Sequence, residues 1–527
     1  MALSCSTDSL AVPKLFGGEI LAFEANLVEN YNATAYSQLY YGHATVTAKN
    51  LDFCNVTVTY THPGQNDTIH VETWLPIDNY NGRLHAVGGG GWVAGGPGYS
   101  PAYTAMSGAV TEGYATSTTN AGLNLQADML PDSWALTSEG NPNLYLLNNF
   151  GSVSLEDQAV ITKGLIASFY GRAPEYSYWS GCSQGGRQGM MLAQRYPEAY
   201  DGIHACAPAI YWTQLLSTTF WPQLMMMVMD YFPIPCELNA VVEAAVDACD
   251  ALDGIVDAII SNDDACTFDP LSVVGTSFTC SDTGANMTIS TEAAKLAKLT
   301  WAGPRTEAGK FMWYGPNVGS KLTGSTSGLT DNIGLAMTSC SSDGNCTGVP
   351  VGLGEVWIKY WVKANPDWSY ENMTRAEFEH YVHASIQRFD SLIATNDADL
   401  TDYYKKGGKI LGYHGMNDQI IPVKSTEHYY DKVEEIIPAA NQFYRMFEVP
   451  GLLHCAGGSG GQPSNTFDAL RAWVENGTVP ESLPHSYIDD DGAAQNRLLC
   501  PYPKKSKMIH GTKAVNGTYQ SDDFVCV

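Results

Sequence analysis

The run Gly181-Cys182-Ser183-Gln184-Gly185 places a serine within a G-x-S-x-G motif. Small residues on both sides permit a sharp turn that exposes the serine hydroxyl. If a helix follows the turn, its first N–H groups face the negative charge that develops when the hydroxyl attacks a carbonyl. The motif predicts a nucleophilic serine. The alternative is a glycine-rich turn whose serine has no catalytic role.

A serine hydroxyl needs an imidazole to accept its proton and a carboxylate to orient that imidazole. Asp418 follows the predicted strand 409–414, and His454 follows the next predicted strand, 443–449. Both residues therefore fall in loops at strand ends, where α/β enzymes place catalytic groups. The order Ser183, Asp418, His454 is the order expected of α/β-hydrolases, and it predicts a nucleophile, an orienting acid and a general base.

Three other histidines compete with His454 for the role of base. His414 lies within or beside a strand and is more typical of a packed or backbone-bonded histidine, His204 lies inside an apolar strand and His428 in an amphipathic helix. None of them combines the chain order with a strand-end loop, so His454 is preferred.

Cys182 immediately precedes the serine, and Cys455 immediately follows the histidine. A disulfide between them would hold their Cα atoms about 4.4–6.8 Å apart and would bring Ser183 and His454 into one neighbourhood. The alternatives are that each thiol is buried or paired elsewhere, or that a free Cys182 is itself the nucleophile.

Oxyanion stabilisation needs two hydrogen-bond donors. The backbone N–H of Gln184 is predicted to be one of them. The run Gly88-Gly-Gly-Gly91 ends a predicted strand, and Gly90 or Gly91 is predicted to be the other. The alternative is a plain glycine-rich loop.

The elements around these residues alternate between strand and helix. Strands are predicted at 54–60, 69–75, 83–87, 114–118 and 202–208, and within 176–187 a strand runs into a glycine-rich turn. Helices are predicted at 154–171, with Ser154 as N-cap, at 190–196, from 424 and at 465–474. This alternation predicts an α/β fold with a parallel sheet. It lapses between Tyr211 and Asp399, so 1–210 and 400–527 are assigned to one catalytic domain and 211–399 to an inserted lid domain.

The composition excludes several classes of function. The chain has 28 Lys+Arg against 55 Asp+Glu, a formal charge of −27, which disfavours nucleic acid and anionic membranes as partners. No apolar run is long enough to span a bilayer, and the first residues resemble a mature N-terminus rather than a signal peptide. The sequence does not predict an oligomeric state.

Two features predict a secreted, extracellular glycoprotein. Thirteen cysteines without a CxxC metal pattern favour disulfides and an oxidising compartment. Acceptor triplets for N-glycosylation occur at Asn32, Asn55, Asn66, Asn286, Asn345, Asn372, Asn476 and Asn516.

The sequence resembles the tannase/feruloyl esterase family, whose mark is a Cys-Ser, an Asp and a His-Cys with the two cysteines bridged. The corresponding residues here are Cys182-Ser183, Asp418 and His454-Cys455. Further motifs of the resemblance are Gly88-Gly-Gly-Gly91, Tyr200-Asp-Gly202, Gly407-Gly-Lys409 and Trp473-Val-Glu-Asn-Gly477. The resemblance covers nearly the whole chain and implies a serine esterase with an α/β-hydrolase core, a large inserted lid and no organic cofactor.

The resemblance also implies a structural Ca²⁺ site in the loop that starts at Cys249. Its ligands would be Asp250, Asp253 and Asp257 with the carbonyls of Ile255 and Ile259. Hard oxygen ligands on a loop suit this ion, although from the residues alone an acidic surface turn is the simpler interpretation.

Disulfides Cys5–Cys54 and Cys249–Cys266 are implied by the resemblance as well, and Cys500–Cys526 is expected. Position along the chain suggests Cys236–Cys280 and Cys340–Cys346. Cys206 then remains as the odd, buried thiol.

By resemblance, the substrates are small-molecule or polymer-linked esters of phenolic acids. Gallate esters are favoured, as in tannases, because the segments 55–62 and 235–238 look like those of fungal tannases. The alternatives are a feruloyl esterase acting on hydroxycinnamate esters of plant cell walls and a non-catalytic binder of phenolic polymers. Trp212, Trp221 and Trp313 of the lid are predicted to contact the aromatic ring.

Overall fold

A mixed sheet of nine strands is the largest element of the fold. The structure is a computed structural model that describes residues 4–123, 130–324, 333–341, 344–488, 492–510, 512 and 518–527. In chain order the strands are β1 (Glu19–Ala35), β2 (Val46–Thr61), β3 (Ile69–Pro76), β4 (Arg83–Val87), β5 (Ala115–Thr119), β6 (Tyr176–Cys182), β7 (Gly202–Cys206), β8 (Lys409–Gly415) and β9 (Tyr444–Val449). All predicted strands are present.

The order across the sheet is β1-β2-β3-β5-β4-β6-β7-β8-β9. The pairs from β1 to β5 are antiparallel, and every pair from β5–β4 to β8–β9 is parallel. The parallel strands are buried on both faces, as helices that cover a sheet require. The predicted α/β class is confirmed.

Thirteen α-helices are found in the described part of the chain. They are α1 (Ser100–Thr111), α2 (Leu144–Asn148), α3 (Ser154–Tyr170), α4 (Gln184–Arg195), α5 (Trp212–Thr218), α6 (Trp221–Met229), α7 (Pro235–Cys249), α8 (Thr291–Ala302), α9 (Gly354–Trp357), α10 (Arg375–Ile393), α11 (Thr401–Lys405), α12 (Val423–Ile436) and α13 (Thr466–Asn476). The main differences from the sequence-based prediction concern the starts of α3 and α4.

Ser154 does not cap α3, contrary to the prediction. A π-helical turn at Asn149–Val153 runs directly into α3, and the Ser154 hydroxyl donates to the carbonyl of Asn149 at 2.8 Å. Because the preceding backbone is already helical, the first N–H groups of α3 need no side-chain cap. The predicted end at Gly171 is confirmed by its left-handed backbone.

Helix α4 begins at Gln184, six residues before the predicted start at Met190. Glycines 185, 186 and 189 weaken the helical signal in the sequence. At least one of them is needed for packing, since a Cβ on Gly186 would lie 2.4 Å from the carbonyl oxygen of Cys206 on β7.

Between β7 and β8, no described residue joins the nine-stranded sheet. This segment instead contributes α5 to α11 and two short ribbons, Ser277–Thr279 with Asn286–Thr288 and Thr338–Cys340 with Cys346–Gly348. Its apolar side chains form one core with residues of the sheet-containing body, and Trp92 of that body stacks on Trp361 at 4.9 Å. The domain boundaries at 210/211 and 399/400 remain predictions.

All six predicted disulfides are present, namely Cys5–Cys54, Cys182–Cys455, Cys236–Cys280, Cys249–Cys266, Cys340–Cys346 and Cys500–Cys526. Cys206 is a buried free thiol, as predicted. Within the described ranges, no helix has the length and apolar character needed to cross a membrane.

The predicted glycosylation sites are mostly at the surface. Six acceptor asparagines are exposed, whereas Asn55 donates its amide to Glu72 at 2.9 Å within β2, and Asn516 lies outside the described residues. Glycosylation itself remains a prediction.

His62 lies between two buried carboxylates and links the end of β2 to α3. Its Nδ1 is 2.7 Å from Asp67 Oδ2, and its Nε2 is 3.2 Å from Asp157 Oδ2. The hydrogen bonds to Asp157 and Asp67 outweigh the opposing effect of burial and raise the pKa of His62 from 6.5 to about 9.

We expect this histidine to make stability depend on pH. A raised pKa in the folded state stabilises the protein below pH 6.5, and the contribution is lost as the pH rises through about 9. It should amount to about 3 kcal/mol. Urea unfolding of the wild type and of His62→Gln should show a difference near pH 6 that shrinks toward pH 9.5; a constant difference would contradict the assignment.

Candidate active site

Ser183 occupies a strained turn between β6 and α4. Its backbone is in the left-handed half of conformational space, with φ 61° and ψ −122°. A Cβ on Gly181 would lie 2.5 Å from the backbone carbon of Gly185, so the turn can close only with a glycine there. Strain of this kind is concentrated at functional sites, and it supports the predicted exposed nucleophile.

Asp418 and His454 meet in the loops after β8 and β9, as their spacing predicted. Asp418 Oδ2 is 2.7 Å from His454 Nδ1, and both side chains are buried. The other carboxylate oxygen of Asp418 accepts the backbone N–H groups of Ile420 and Ile421 at 2.9 and 2.8 Å. With Nδ1 held by Asp418, Nε2 is the nitrogen of His454 that remains to accept a proton.

The charge of Asp418 is strongly stabilised. Burial alone would raise the pKa of this carboxyl, but its interactions with His454 and His414 outweigh burial and hold the pKa well below its usual range. The carboxylate is therefore ionised at any pH at which the protein would work, as the orienting acid of a triad must be.

The disulfide Cys182–Cys455 joins the two catalytic loops directly. Its Cα atoms are 5.9 Å apart, although 273 positions of sequence separate the two cysteines. Because the bond attaches to the residue before Ser183 and to the residue after His454, it brings the serine and histidine loops together. Cys182 therefore carries no thiol, so a cysteine nucleophile at this position is excluded.

His414 contacts the predicted acid Asp418, a role that the sequence analysis did not assign to it. It is fully buried, and its Nε2 lies 2.9 Å from the carbonyl of Ile421 and 3.2 Å from Asp418 Oδ2. Two acceptors around one nitrogen require that Nε2 carries the proton, while Nδ1 lies 2.9 Å from the Thr426 hydroxyl. The packed histidine that was predicted thus also holds the acid of the triad, and the i, i+4 spacing of His414 and Asp418 was the available signal.

The other two histidines are not part of this cluster. His204 is fully buried in β7 and lies 2.8 Å from the hydroxyl of Thr466, which confirms that it is a core residue. His428 lies on α12, where its ring packs near Tyr211 at 5.5 Å.

Of the predicted oxyanion donors, two are well placed. Gln184 is the first residue of α4, and both Gln184 and Gly91 line the pocket that contains Ser183. The N–H of Gly90 instead donates to the carbonyl of Val93 at 3.0 Å. The geometry therefore favours Gly91 over Gly90 as the partner of Gln184.

The pocket beside Ser183 contains about 310 Å³ of empty space, which includes open solvent at its mouth. Its described lining residues are Gly91, Ser183, Gln184, Ala209, Trp212, Leu215, Leu216, Thr219, Leu353, Ile420 and Ile421. Most of the described lining residues are apolar, and Thr219 already donates its hydroxyl to the carbonyl of Leu216 at 2.7 Å. The lining residues Gln184 and Trp212 have side-chain nitrogens, Nε2 and Nε1, that are buried without a hydrogen-bond partner in the described part of the chain.

Only Trp212 of the three predicted tryptophans is among the described residues of this pocket. Trp221 donates to the carbonyl of Leu299 at 3.1 Å within the core of the inserted segment. Trp313 packs against Tyr211 at 4.9 Å and belongs to a different core cluster. Their aromatic character reflects core packing, which sequence alone does not distinguish from a binding role.

The loop after α7 gathers carboxylates, as the predicted calcium site requires. Asp257 Oδ2 pairs with Arg497 at 2.6 Å, whereas its Oδ1 is buried and accepts no hydrogen bond. Burial raises the pKa of both Asp253 and Asp257. An orphaned carboxylate oxygen beside two further aspartates is a donor set that fits a hard cation.

The described histidine, cysteine and acidic side chains form no ready-made cluster in this loop. The three side chains whose ligand atoms lie within 4.8 Å of one another are Cys236, Cys280 and Asp282, and there both cysteines belong to a disulfide. Asp250, Asp253 and Asp257 are more widely spaced, so a bound ion would have to draw them together. The calcium site remains a prediction.

Comparison with known proteins places this site in a family. A family model described as tannase and feruloyl esterase matches residues 54–526. A probable feruloyl esterase of Arthroderma benhamiae is 36% identical over 90% of this chain and 86% of its own length. A tannase of Aspergillus oryzae is 28% identical over 86% of this chain and 83% of its own length.

The solved structure of a tannin acyl hydrolase from Aspergillus niger is similar over 100% of this chain and 93% of its own, with a TM-score of 0.84 and 26% identity. The α/β-hydrolase core predicted from the sequence is thereby confirmed. The family match spans Ser183, Asp418 and His454 and also the disulfide that joins the serine loop to the histidine loop. This chain therefore belongs to the tannase and feruloyl esterase family.

Proposed function

We propose that the protein is a secreted serine esterase that hydrolyses esters of phenolic acids. The observation that supports this proposal is the 2.7 Å contact of Asp418 with His454. A disulfide joins the loop of His454 to the strained turn that carries Ser183. Relatives named tannase and feruloyl esterase are carboxylic ester hydrolases. Six disulfides support export to an oxidising compartment.

In the proposed reaction, His454 Nε2 accepts the hydroxyl proton of Ser183 while Oγ attacks the ester carbonyl. The N–H groups of Gln184 and Gly91 stabilise the oxyanion of the tetrahedral intermediate. His454 then protonates the departing alcohol, which leaves an acyl group on Ser183. Water activated by His454 releases the acid and restores the serine.

The largely apolar lining of the pocket affects which phenolic acid the proposed substrate contains. Gallate carries three hydroxyls on its ring, and the described lining offers few polar atoms, chiefly Gln184 Nε2 and Trp212 Nε1, to replace the hydrogen bonds that those hydroxyls make to water. A ferulate ring carries one hydroxyl and one methoxy group and loses less. The pocket therefore favours the hydroxycinnamate alternative, while the gallate preference predicted from sequence is untested.

Hydrolysis of methyl ferulate and methyl gallate compares the two acids directly. We expect kcat/KM to be about tenfold higher for ferulate, the ratio that corresponds to about 1.4 kcal/mol of differential binding in the transition state. A preference of similar size for gallate would establish a tannase instead. A protein that binds phenolic polymers but turns over no aryl ester and is not labelled by a fluorophosphonate would be a binding protein.

We further propose that a structural Ca²⁺ is held by Asp250, Asp253 and Asp257 with the carbonyls of Ile255 and Ile259. The ion would neutralise buried carboxylates and fix the loop that the Cys249–Cys266 disulfide closes. It has no role in the proposed ester chemistry.

Chelation tests this site without relying on activity. We expect EGTA to lower the Tm by about 3–5 °C, because an ion that binds only the folded state adds to stability. Ca²⁺ should restore the Tm and Mg²⁺ should not, since Mg²⁺ sheds its waters reluctantly. The Tm of Asp253→Asn should not respond to EGTA, and an equal response of this variant and the wild type would contradict the ligand set.

A further inference from the structure

Arg187 on α4 is a fully buried cation, and its hydrogen-bond partners among the described residues are all neutral groups. Its Nε donates to Gln184 Oε1 at 2.5 Å, and Nη2 donates to the carbonyl of Phe150 at 2.9 Å. Nη1 donates to the carbonyl of Gly151 at 2.9 Å and to the hydroxyl of Thr395 at 3.1 Å. These bonds use four of the five N–H donors of the guanidinium group, and none of the four acceptors carries a charge.

No acidic side chain among the described residues forms an ion pair with Arg187. Other arginines of the chain do pair with carboxylates, namely Arg83, Arg445, Arg471 and Arg497. Burial, with a smaller effect from Arg195, lowers the pKa of Arg187 to about 9, which leaves the guanidinium charged near neutral pH. Buried charges are normally paired, so an unpaired one calls for an explanation.

The position of Arg187 near the pocket offers an explanation for its unpaired charge. The guanidinium contacts Gln184 directly and lies 5.7 Å from the ring of Trp212, and both residues line the pocket that contains Ser183. The backbone N–H of Arg187 also donates to the carbonyl of Ser183 at 2.9 Å. The side chains of Gln184 and Trp212 therefore lie between the positive charge of Arg187 and the pocket in which an oxyanion on the substrate would form.

We propose that Arg187 is an electrostatic positioning residue whose uncompensated charge stabilises the negative charge that develops in the transition state. This inference rests on the proposed esterase function. A fixed charge in a dry interior acts strongly on a nearby oxyanion and requires no rearrangement when the reaction occurs. The same contact holds Gln184, whose backbone N–H is the proposed oxyanion donor.

Thr395 offers a way to cancel this charge without touching Arg187 or the pocket lining. It is buried, accepts from Nη1 and has a left-handed backbone with φ 57°. Aspartate and asparagine tolerate that backbone better than threonine does. Thr395→Asp would place a carboxylate against the guanidinium, and Thr395→Asn is a control of nearly the same shape without a charge.

We expect Thr395→Asp to lower kcat toward methyl ferulate by about 10- to 30-fold with KM within about threefold, because the lost interaction acts only on the transition state. Its Ki for phenylboronic acid, which forms a tetrahedral anion on a catalytic serine, should rise by a similar factor. Thr395→Asn should stay within about twofold of the wild type in both. Thr395 also donates to the carbonyl of Ile393, a bond that only asparagine can keep, so the Tm of each variant is measured.

Equal kcat and equal Ki for the two Thr395 variants would overturn the inference and leave Arg187 with a packing role. So would a loss of kcat in Thr395→Asp that merely follows a loss of Tm. As a second pair, Arg187→Lys should retain more activity than Arg187→Gln even where both lower the Tm. A wild type that turns over no aryl ester and is not labelled by a fluorophosphonate would refute the proposed function instead.

Discussion

Replacing Ser183 by alanine is expected to lower kcat toward a phenolic methyl ester by about 10⁴- to 10⁶-fold, because the Ser183 hydroxyl is the group proposed to carry the acyl intermediate. The variant should fold, since alanine removes only a hydroxyl. Its KM should change little, because the pocket proposed to bind the ring is unchanged. Initial rates and the loss of labelling by a fluorophosphonate measure the effect.

Ser180 provides the matched control. It lies three residues earlier on β6, is buried, and its hydroxyl is 2.7 Å from His85 Nε2. Ser180→Ala removes a buried hydroxyl from the same strand and should cost stability while kcat stays within a few fold of the wild type. If Ser183→Ala kept activity within tenfold of the wild type, the proposed nucleophile would be wrong.

The candidate reacting groups could be selected from the sequence because fold rules constrain them. Chain order and strand-end loops select Ser183, Asp418 and His454 from a single sequence, since parallel strands end at one edge of the sheet. The structure brings Asp418 and His454 to 2.7 Å, and it confirms every predicted disulfide. Most of the candidate site was thus predicted from short motifs whose spacing has a structural reason.

Features that depend on three-dimensional packing could not be read in the same way. Trp221 and Trp313 have the composition of a ring-binding surface, but they are used in core contacts. The role proposed for Arg187 depends on the absence of a paired carboxylate among the described residues, and no local sequence pattern predicts that a side chain will lack a partner. Ser154 looks like a cap because the helical turn before it lacks a sequence signal.

Removing the Cys182–Cys455 disulfide is expected to lower both activity and stability. In Cys182→Ala combined with Cys455→Ala, kcat should fall by about 10²- to 10³-fold, because a shift of about 1 Å between serine and histidine is enough to cost about 10²-fold. The free energy of unfolding should fall by about 3–5 kcal/mol, since the bond closes a long loop. Rates and urea unfolding measure the two effects.

The expected loss of activity follows from the backbone conformation at Cys455. Cys455 has a left-handed backbone with φ 65°, a conformation that a residue other than glycine keeps only when its surroundings enforce it. Without the disulfide, residue 455 can relax to an ordinary conformation and turn the adjoining His454 away from Ser183. Asp418 would then hold an imidazole that no longer faces the hydroxyl.

Cys340–Cys346 is the control for the loss of a disulfide as such. It closes a hairpin of the inserted segment with a sequence separation of 6, so its removal should cost about 2 kcal/mol or less. Rates of Cys340→Ala with Cys346→Ala should match the wild type. If the Cys182–Cys455 variant kept full kcat while losing stability, the bond would serve only the fold, and the loops after β8 and β9 would have to position His454 unaided.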